Sequence, residues 1–526
     1  MGGDFIVITA QGQRTVPALP GETFARALFR AGFFVGVPLC AGLGRCGRCR
    51  ARFVSTPPPA VASERKRLTP EELAAGYRLT CLHPVRGGEQ LEVPETSPSP
   101  AYAESAPAAF GQGDGGRAVN LGLAVDLGTT GLAWRLLERD SGRVRGEGRG
   151  VNPQLGAGGE VVSRLAYAAQ SGGGAYLRGL VFDVLDGIVA AADGPVSELC
   201  VAGNSAMVSI LCDKPLMGLS LAPYHLEWSA GETVHLRDGL PPTYIPPLLG
   251  PFVGADLSAG LTALLSRKVA YPFFLADLGT NAEMVLGLAP DRFLAASAPL
   301  GPALEGVGLS QGALAGPGVA VDFALTPTGL APIYFDGRAP APDGGRFIAG
   351  PGYLALAARL VEQGVLDRHG HFDQTPSTPL AARLARGVSR SGGEAAFETA
   401  GYRLWASDVE EMLKVKAACA MAMAALFSAA GLAPADVASL YLAGAFGAHV
   451  AGADLETLGF LPPGMGRRAE PVGNLSLEGA SLFLTAPETR QQARYVAART
   501  TIVPLVAGDE ASDAFIRRMV FAYVPD

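Results

Sequence analysis

Residues 123–138 read LAVDLGTTGLAWRLLE. An apolar strand runs into an aspartate, a Gly-Thr-Thr turn follows, and a second apolar strand leaves it. Residues 274–288, FLADLGTNAEMVLGL, repeat the plan with Asp-Leu-Gly-Thr at the same place. A tight glycine turn at a strand end offers backbone amides and threonine hydroxyls to phosphate oxygens. The aspartate before it can hold Mg2+ directly or through water. One such turn is common among hairpins. Two copies point to two related lobes facing each other across a nucleotide cleft. Asp126, Gly128, Thr129 and Thr130 would form one phosphate loop, and Asp277, Gly279, Thr280 and Asn281 the other.

A third turn, YLAGAFGAH at residues 441–449, follows a strand near the C-terminus. Gly444, Phe446 and Gly447, among small neighbours, would let backbone flank an adenosine. The same pattern fits an ordinary strand-to-helix junction. No Walker motif G-x-x-x-x-G-K-[ST] occurs, so a P-loop ATPase is not supported. No G-x-G-x-x-G follows a strand, which argues against a self-contained flavin or nicotinamide reductase.

The N-terminal part carries a different chemistry. Cys40, Cys46, Cys49 and Cys81 are spaced C-x5-C-x2-C-x31-C, using four of the chain's 7 cysteines. Three thiols on one tight loop and a fourth from afar suit an iron–sulfur cluster with plant-type spacing. Gly42, Gly44 and Gly47 let the loop wrap closely. A structural zinc site is the alternative, but zinc favours two separated C-x2-C knuckles and only one is present. His83 follows Cys81 by two residues; with no second histidine in this unit a Rieske site is unsupported, so His83 reads as a surface or supporting residue. Cys200, Cys212 and Cys419 lie in apolar surroundings and read as core. Arg45, Arg48, Arg50 and Arg52 crowd the cysteine loop without an acid between them. They read either as a solvated face or as a docking surface for an acidic partner.

Strand, helix and turn signals around the cysteines resemble a β-grasp ferredoxin over about residues 1–94. Residues 95–117, ETSPSPAYAESAPAAFGQGDGGR, lack periodicity and read as a flexible linker. The expected remainder is a middle region, 118–195, with the first phosphate loop, and a C-terminal ATPase-like domain, 196–526. The fold class is therefore multidomain: an α+β ferredoxin, then an α/β two-lobed fold. The two D-x-G-T turns and the late glycine turn resemble the actin, sugar-kinase and Hsp70 ATPases, which share a ribonuclease H-like fold.

Further stretches narrow the resemblance. NPQLGAGGEVVSRL (152–165), VAGNSAM (201–207), PFVGADLSAG (251–260), DLGTNAEM (277–284), GPALEGVGLSQG (301–312) and LAGAFGAH resemble, in order, the corrinoid reductive activators. Departures are small: Gly159-Glu160 stands where Asp is expected, Ser205 for Thr, Ala282 for Gly and Leu304 for Phe. The resemblance implies an ATP-dependent protein that passes a low-potential electron from a [2Fe–2S] cluster to a Co(II) corrinoid protein of a methyltransferase system, restoring Co(I). It implies ATP, Mg2+, an external low-potential electron donor and a homodimer. Plant-type clusters lie near about −400 mV. A deficit of about 240 mV for one electron costs ~10⁴-fold, about 5.5 kcal/mol, the size of a full conformational switch. ATP can supply that.

Under this resemblance Asp126 and Asp277 face Mg2+. Glu283 is either a water-orienting base or an exposed strand-edge carboxylate. Residues 296–306, ASAPLGPALEG, have the small and proline-rich character of a partner-facing loop, on which Ser297 either approaches cobalt or caps a turn. Two other functions stay open: an electron-transfer protein with a non-hydrolysing ATPase-like scaffold, and a redox-regulated small-molecule kinase.

Composition limits the setting. The chain has 526 residues, 48% hydrophobic and 17% charged, with net charge −7, which argues against nucleic acid as a partner. No run approaches the ~18 uninterrupted apolar residues of a membrane span. MGGDFIVITAQ lacks the basic start of a secretion signal, so the expected location is the cytoplasm.

Overall fold

The computed structural model describes residues 3–44, 46–93, 120–300, 309–341, 345–373, 378–391, 393–447, 449–505 and 508–525. The expected linker, 95–117, and most of the 301–312 stretch lie outside the described residues.

The N-terminal unit is a five-stranded sheet built from β1 (Asp4–Thr9), β2 (Gly12–Pro17), β3 (Arg50–Phe53), β4 (Tyr77–Leu79) and β5 (Gln90–Glu92), in the order β2-β1-β5-β3-β4. Alternation in DFIVIT turns Phe5 and Val7 inward, onto the helix Phe24–Arg30. The Phe24 ring stands edge-on to Phe5 at 5.0 Å and to Phe53 at 5.2 Å. Each such buried ring contributes about 2 kcal/mol. The helix Pro70–Ala74 starts at the Thr-Pro signal: Thr69 Oγ1 accepts from the Glu72 amide at 3.2 Å and Glu72 returns the bond to the Thr69 amide at 2.9 Å. The cysteine loop leaves between the first helix and β3.

The two D-x-G-T turns open two sheets of one topology. In the first, β6 (Leu121–Leu127), β7 (Gly131–Glu138) and β8 (Val144–Val151) run antiparallel, and β9 (Val196–Gly203) joins β6 in parallel. The short β10 (Glu232–Val234) and β11 (Thr243–Ile245) complete it, giving the order β10-β11-β9-β6-β7-β8. In the second, β12 (Phe273–Leu278), β13 (Asn281–Ala289) and β14 (Arg292–Pro299) are the antiparallel trio. A hairpin, β15 (Ala320–Thr326) and β16 (Gly329–Tyr334), and a three-stranded sheet, β17 (Val388–Ser391), β18 (Glu394–Thr399) and β19 (Tyr402–Trp405), decorate this lobe. Then β20 (Ser439–Ala443) joins β12 in parallel, followed by β21 (Ala469–Gly473) outside it and β22 (Thr500–Ile502) on the far edge. The repeat read from the turns is thus a repeat of whole lobes. It moves the expected boundary: β9 and β11 belong to the first sheet, so the first lobe runs past 195/196, and the helix Ala255–Leu265 packs Leu257, Leu261 and Leu264 against Phe273, Leu275 and Val285 of the second sheet.

The chain then crosses back. The helix Leu475–Thr485 packs on the helix Ala255–Leu265 and on β6 and β9 of the first lobe. Glycine makes the crossing close: a Cβ on Gly479 would sit 2.1 Å from the Ala259 carbonyl oxygen. The helix Ala406–Ala430 is long and apolar enough to cross a membrane, but 61% of its apolar window is buried, and it packs on β13 and β14 as the core helix of the second lobe.

The ferredoxin unit docks on the first lobe. Phe29 is fully buried, in the first lobe's core rather than its own. Its ring is edge-on to Tyr167 at 5.5 Å and to Tyr176 at 5.3 Å. Gly156 lies against it; a Cβ there would approach the ring to 2.3 Å. Backbone bonds tighten the seam: Gly36 N to Pro153 O at 3.3 Å, Leu39 N to Leu155 O at 3.4 Å, and Gly159 N to Leu39 O at 2.9 Å.

Candidate functional site

Both phosphate loops are held as tight turns. A Cβ on Gly128 would meet the Gly131 carbonyl at 2.9 Å, so only glycine closes that hairpin. Asn152 clamps it, its amide donating to Thr130 O at 2.7 Å and its Nδ2 to Gly128 O at 2.8 Å. The second turn closes through Gly279 N to Asn281 O at 2.9 Å. The loops meet across the cleft: Thr130 Oγ1 and Thr280 Oγ1, both buried, are 2.9 Å apart.

Four half-buried or buried carboxylates converge beside these loops. Asp126 accepts from Asn474 Nδ2 and Ser476 Oγ, each at 2.8 Å, so the C-terminal segment orients it. Asp277 lies under the third turn: Gly444, at φ +86°, would place a Cβ 2.5 Å from Asp277 Oδ1. Glu283 is buried on the central strand β13, directly opposite Asp277, so it is not the strand-edge carboxylate of the bland expectation. The fourth is Asp256, at the start of the helix Ala255–Leu265, with Oδ1 accepting from the Leu257 amide at 2.8 Å. Desolvation first, then mutual repulsion, pushes Asp277 up to about 8 and Asp256 up to about 7, and raises Glu283 well above the carboxylate range. Desolvation also raises Asp126, against its Asn474 and Ser476 bonds. No cation is among the groups that shift them. Among the described residues no three of these groups close on one point. That arrangement suits Mg2+, which keeps several waters and takes one or two carboxylates plus phosphate oxygens.

Sequence reading named Asp126, Asp277 and Glu283 but missed Asp256, Asn474, Ser476 and Asn152. Asn152 and Asp256 lie in the quoted 152–165 and 251–260 stretches, where a strand-end or helix-start polar residue in an apolar run was the available signal; Asn474 and Ser476 lie outside every quoted stretch. One expectation needs correction. Ser297 is not on a partner-facing loop: residues 296–299 continue β14, and Ser297 pairs with Glu283 in the row that begins at Asp277. Small residues there pack a central strand instead of loosening a loop. Gly444 makes its close approach to Asp277 and Leu278, and Gly447 packs on Leu442; both are used to fold the third turn onto β12 and β20. The Phe446 side chain lies outside the described set.

The four cysteines converge. Cys40 with Cys46, and Cys49 with Cys81, are paired by sulfur contacts, and Cys81 also reaches Cys40. The Cys40 contacts and burial drive the Cys46 thiol up; contacts with Cys40 and then Cys49 drive Cys81 up; the Cys81 contact holds Cys49 down. Four thiolates this close need positive charge between them. Four thiols in one linked cluster suit an iron–sulfur site. His83 is buried, not at the surface: Nε2 is 3.0 Å from Glu64 Oε1. Glu64, fully buried, also accepts from the Leu79 amide at 2.7 Å and the Val61 amide at 2.9 Å, tying two loops beside Cys81. Two of the four rim arginines are paired with acids. Arg50 pairs with Glu72 at 3.0 Å, Arg52 pairs with Glu92, and Arg48 donates to Gly312 O at 3.2 Å; Arg45 lies outside the described residues. Cys200 and Cys419 are buried and Cys212 half-buried; desolvation pushes Cys212 and Cys419 up to about 12 and raises Cys200 further, which makes them inert.

Residues 121–266 match the family model described as the RACo middle region, and residues 272–524 match the one described as the C-terminal domain of RACo, the ASKHA domain. The chain is 27% identical over 428 residues to "Corrinoid activation enzyme RamQ" of Eubacterium limosum, covering 76% of this chain and 70% of that one. It is 26% identical over 391 residues to "[Co(II) methylated amine-specific corrinoid protein] reductase" of Methanosarcina barkeri, covering 68% of each. The solved structure titled "Reductive activator for corrinoid,iron-sulfur protein" superposes with TM-score 0.67 at 21% identity, over 99% of this chain and 98% of that one, and shows the same fold.

Proposed function

We propose that this chain, which belongs to the RACo family, hydrolyses ATP to drive one electron onto the Co(II) form of a corrinoid protein, returning it to Co(I). The observation that carries the reading is the joining, in one chain, of a paired thiol quartet with a cleft holding two phosphate loops and four carboxylates. Cys40, Cys46, Cys49 and Cys81 hold the [2Fe–2S] cluster, which supplies one-electron transfer at low potential.

The protein's own residues do the rest. Gly128–Thr130 and Gly279–Asn281 grip the phosphates from opposite lobes. Asp126 and Asp277 would hold Mg2+, which would offset phosphate charge, and Asn474 and Ser476 fix the orientation of the Asp126 carboxylate. Asp256 and Glu283 are left to orient the attacking water and take its proton. Mg2+ arriving with the nucleotide would relieve the repulsion among the four acids, so Mg-ATP binding favours one relative placement of the lobes. Hydrolysis to ADP and phosphate removes that preference and makes the cycle directional. The electron lost to cobalt is restored by an external low-potential donor. The reading includes a methyltransferase-linked corrinoid partner, a homodimer and a cytoplasmic setting.

The test is spectroscopic. Reduced protein, Mg-ATP and a Co(II) corrinoid protein are mixed and Co(I) absorbance is followed. Co(I) that accumulates only with ATP supports the reading. Absence of Co(I), with cluster oxidation indifferent to ATP, refutes it.

A further inference from the structure

The loop that carries three of the cysteines touches both lobes. On the middle-region side its start is bonded twice at Leu39, and the ferredoxin unit is seated by Phe29, whose carbonyl accepts from Tyr176 Oη at 2.6 Å. On the other side Arg48, next to Cys49, makes one bond among the described residues, from Nη2 to Gly312 O at 3.2 Å. Gly312 is rigidly placed. Ser310 is held by Asp408 through its amide at 2.8 Å and its hydroxyl at 2.6 Å, and the Gln311 amide donates to Tyr353 Oη at 2.9 Å. Between these two attachments lies a cavity of about 600 Å³. The four cysteines, the 156–167 segment of the middle region and Asp408, Glu410 and Glu411 of the C-terminal lobe wall it. Its two sides therefore belong to two lobes that the nucleotide cleft separates.

We propose that Arg48 latches the cysteine loop to the C-terminal lobe, that nucleotide binding releases the latch, and that the opened cavity admits the corrin-bearing partner to the cluster while Phe29 keeps the ferredoxin unit seated on the middle region. This rests on the reading of the inter-lobe cleft as an ATP site. A phosphate oxygen seated between the two turns competes for the hydroxyl proton that makes the Thr130–Thr280 bridge, and taking it breaks the bridge. The lobes then shift. At 3.2 Å the Arg48 bond is already at the long end of its range, and a further separation of about 0.5 Å ends it. Several bonds and a buried ring hold the opposite side, so the single bond gives way first.

Hydrogen exchange of the cluster-loaded protein tests this without reference to turnover. With Mg2+ and a non-hydrolysable ATP analogue, exchange at residues 39–49 and 309–313 should rise about tenfold or more, and residues 153–159 should stay protected. Arg48→Ala should show the raised exchange without nucleotide, with unchanged cluster absorbance, and Arg48→Lys should restore part of the nucleotide dependence. If calorimetry shows the analogue bound and residues 39–49 stay protected, or residues 153–159 open first, the latch is wrong and the ATP reading stands. If calorimetry shows no binding, both fall.

Discussion

Phe29→Ala is expected to free the ferredoxin unit from the middle region without unfolding either. The ring is fully buried, and the aromatics it meets among the described residues, Tyr167 at 5.5 Å and Tyr176 at 5.3 Å, belong to the other domain. The ferredoxin keeps its own trio of Phe5, Phe24 and Phe53. Truncating a buried Phe costs about 3–5 kcal/mol in lost transfer energy and residual cavity. Here that cost falls on docking, so the docked-to-free ratio should drop by about 10²–10³-fold, allowing for partial collapse of the site. Gly156→Ala approaches the same contact from the other side, because its Cβ would enter the ring at 2.3 Å. Small-angle scattering should show a larger radius of gyration for both variants, with the cluster absorbance of the parent. An unchanged scattering profile in both would refute the argument that Phe29 is the docking anchor. Loss of the cluster in Phe29→Ala would refute the assignment of its energy to the seam.

The remaining expectations concern the cleft. Asp256 near 7 and Asp277 near 8 lie above their unfolded values, so the folded chain binds extra protons between about pH 4 and 8. Stability without nucleotide should therefore fall as pH rises across that window, and the melting-temperature gain from Mg-ATP should grow from pH 6 to pH 8.5; a gain that shrinks would contradict the shared-repulsion account. Asp256→Asn should raise the nucleotide-free melting temperature at pH 8 and lower ATP turnover by about 10²–10⁴-fold, measured as phosphate release. Asn474→Ala leaves Asp126 with one of its two donors and should weaken Mg2+-dependent nucleotide binding by about tenfold, read by calorimetry. Gly444→Ala forces φ +86° on an alanine and a Cβ against Asp277, so it should cost 2 kcal/mol or more, about, in chemical denaturation; a change under about 0.5 kcal/mol would mean the third turn is not seated on Asp277.

Local chemistry was legible from the chain alone. Residue type and spacing within one loop decide whether four thiols can share a cluster, and a glycine at a strand end decides whether a turn can cradle phosphate. Cys40, Cys46, Cys49 and the two D-x-G-T turns could be found in this way because their geometry is set by neighbours in sequence, and distant Cys81 because it completes the plant-type spacing. What depends on distant packing could not. Asn474 reaches Asp126 across 348 positions, and Arg48 reaches Gly312 across 264. No periodicity encodes such pairs, since they exist only once two sheets and a returning helix have stacked. The same holds for sign and burial. Glu72 and Glu92 quench arginines that looked unopposed, Ser297 is strand rather than loop, and Phe29 leaves its own domain's core to complete another. Residue type and spacing carry the chemistries of the chain, whereas the stacking of two sheets and a returning helix places the thiol loop against both lobes at once.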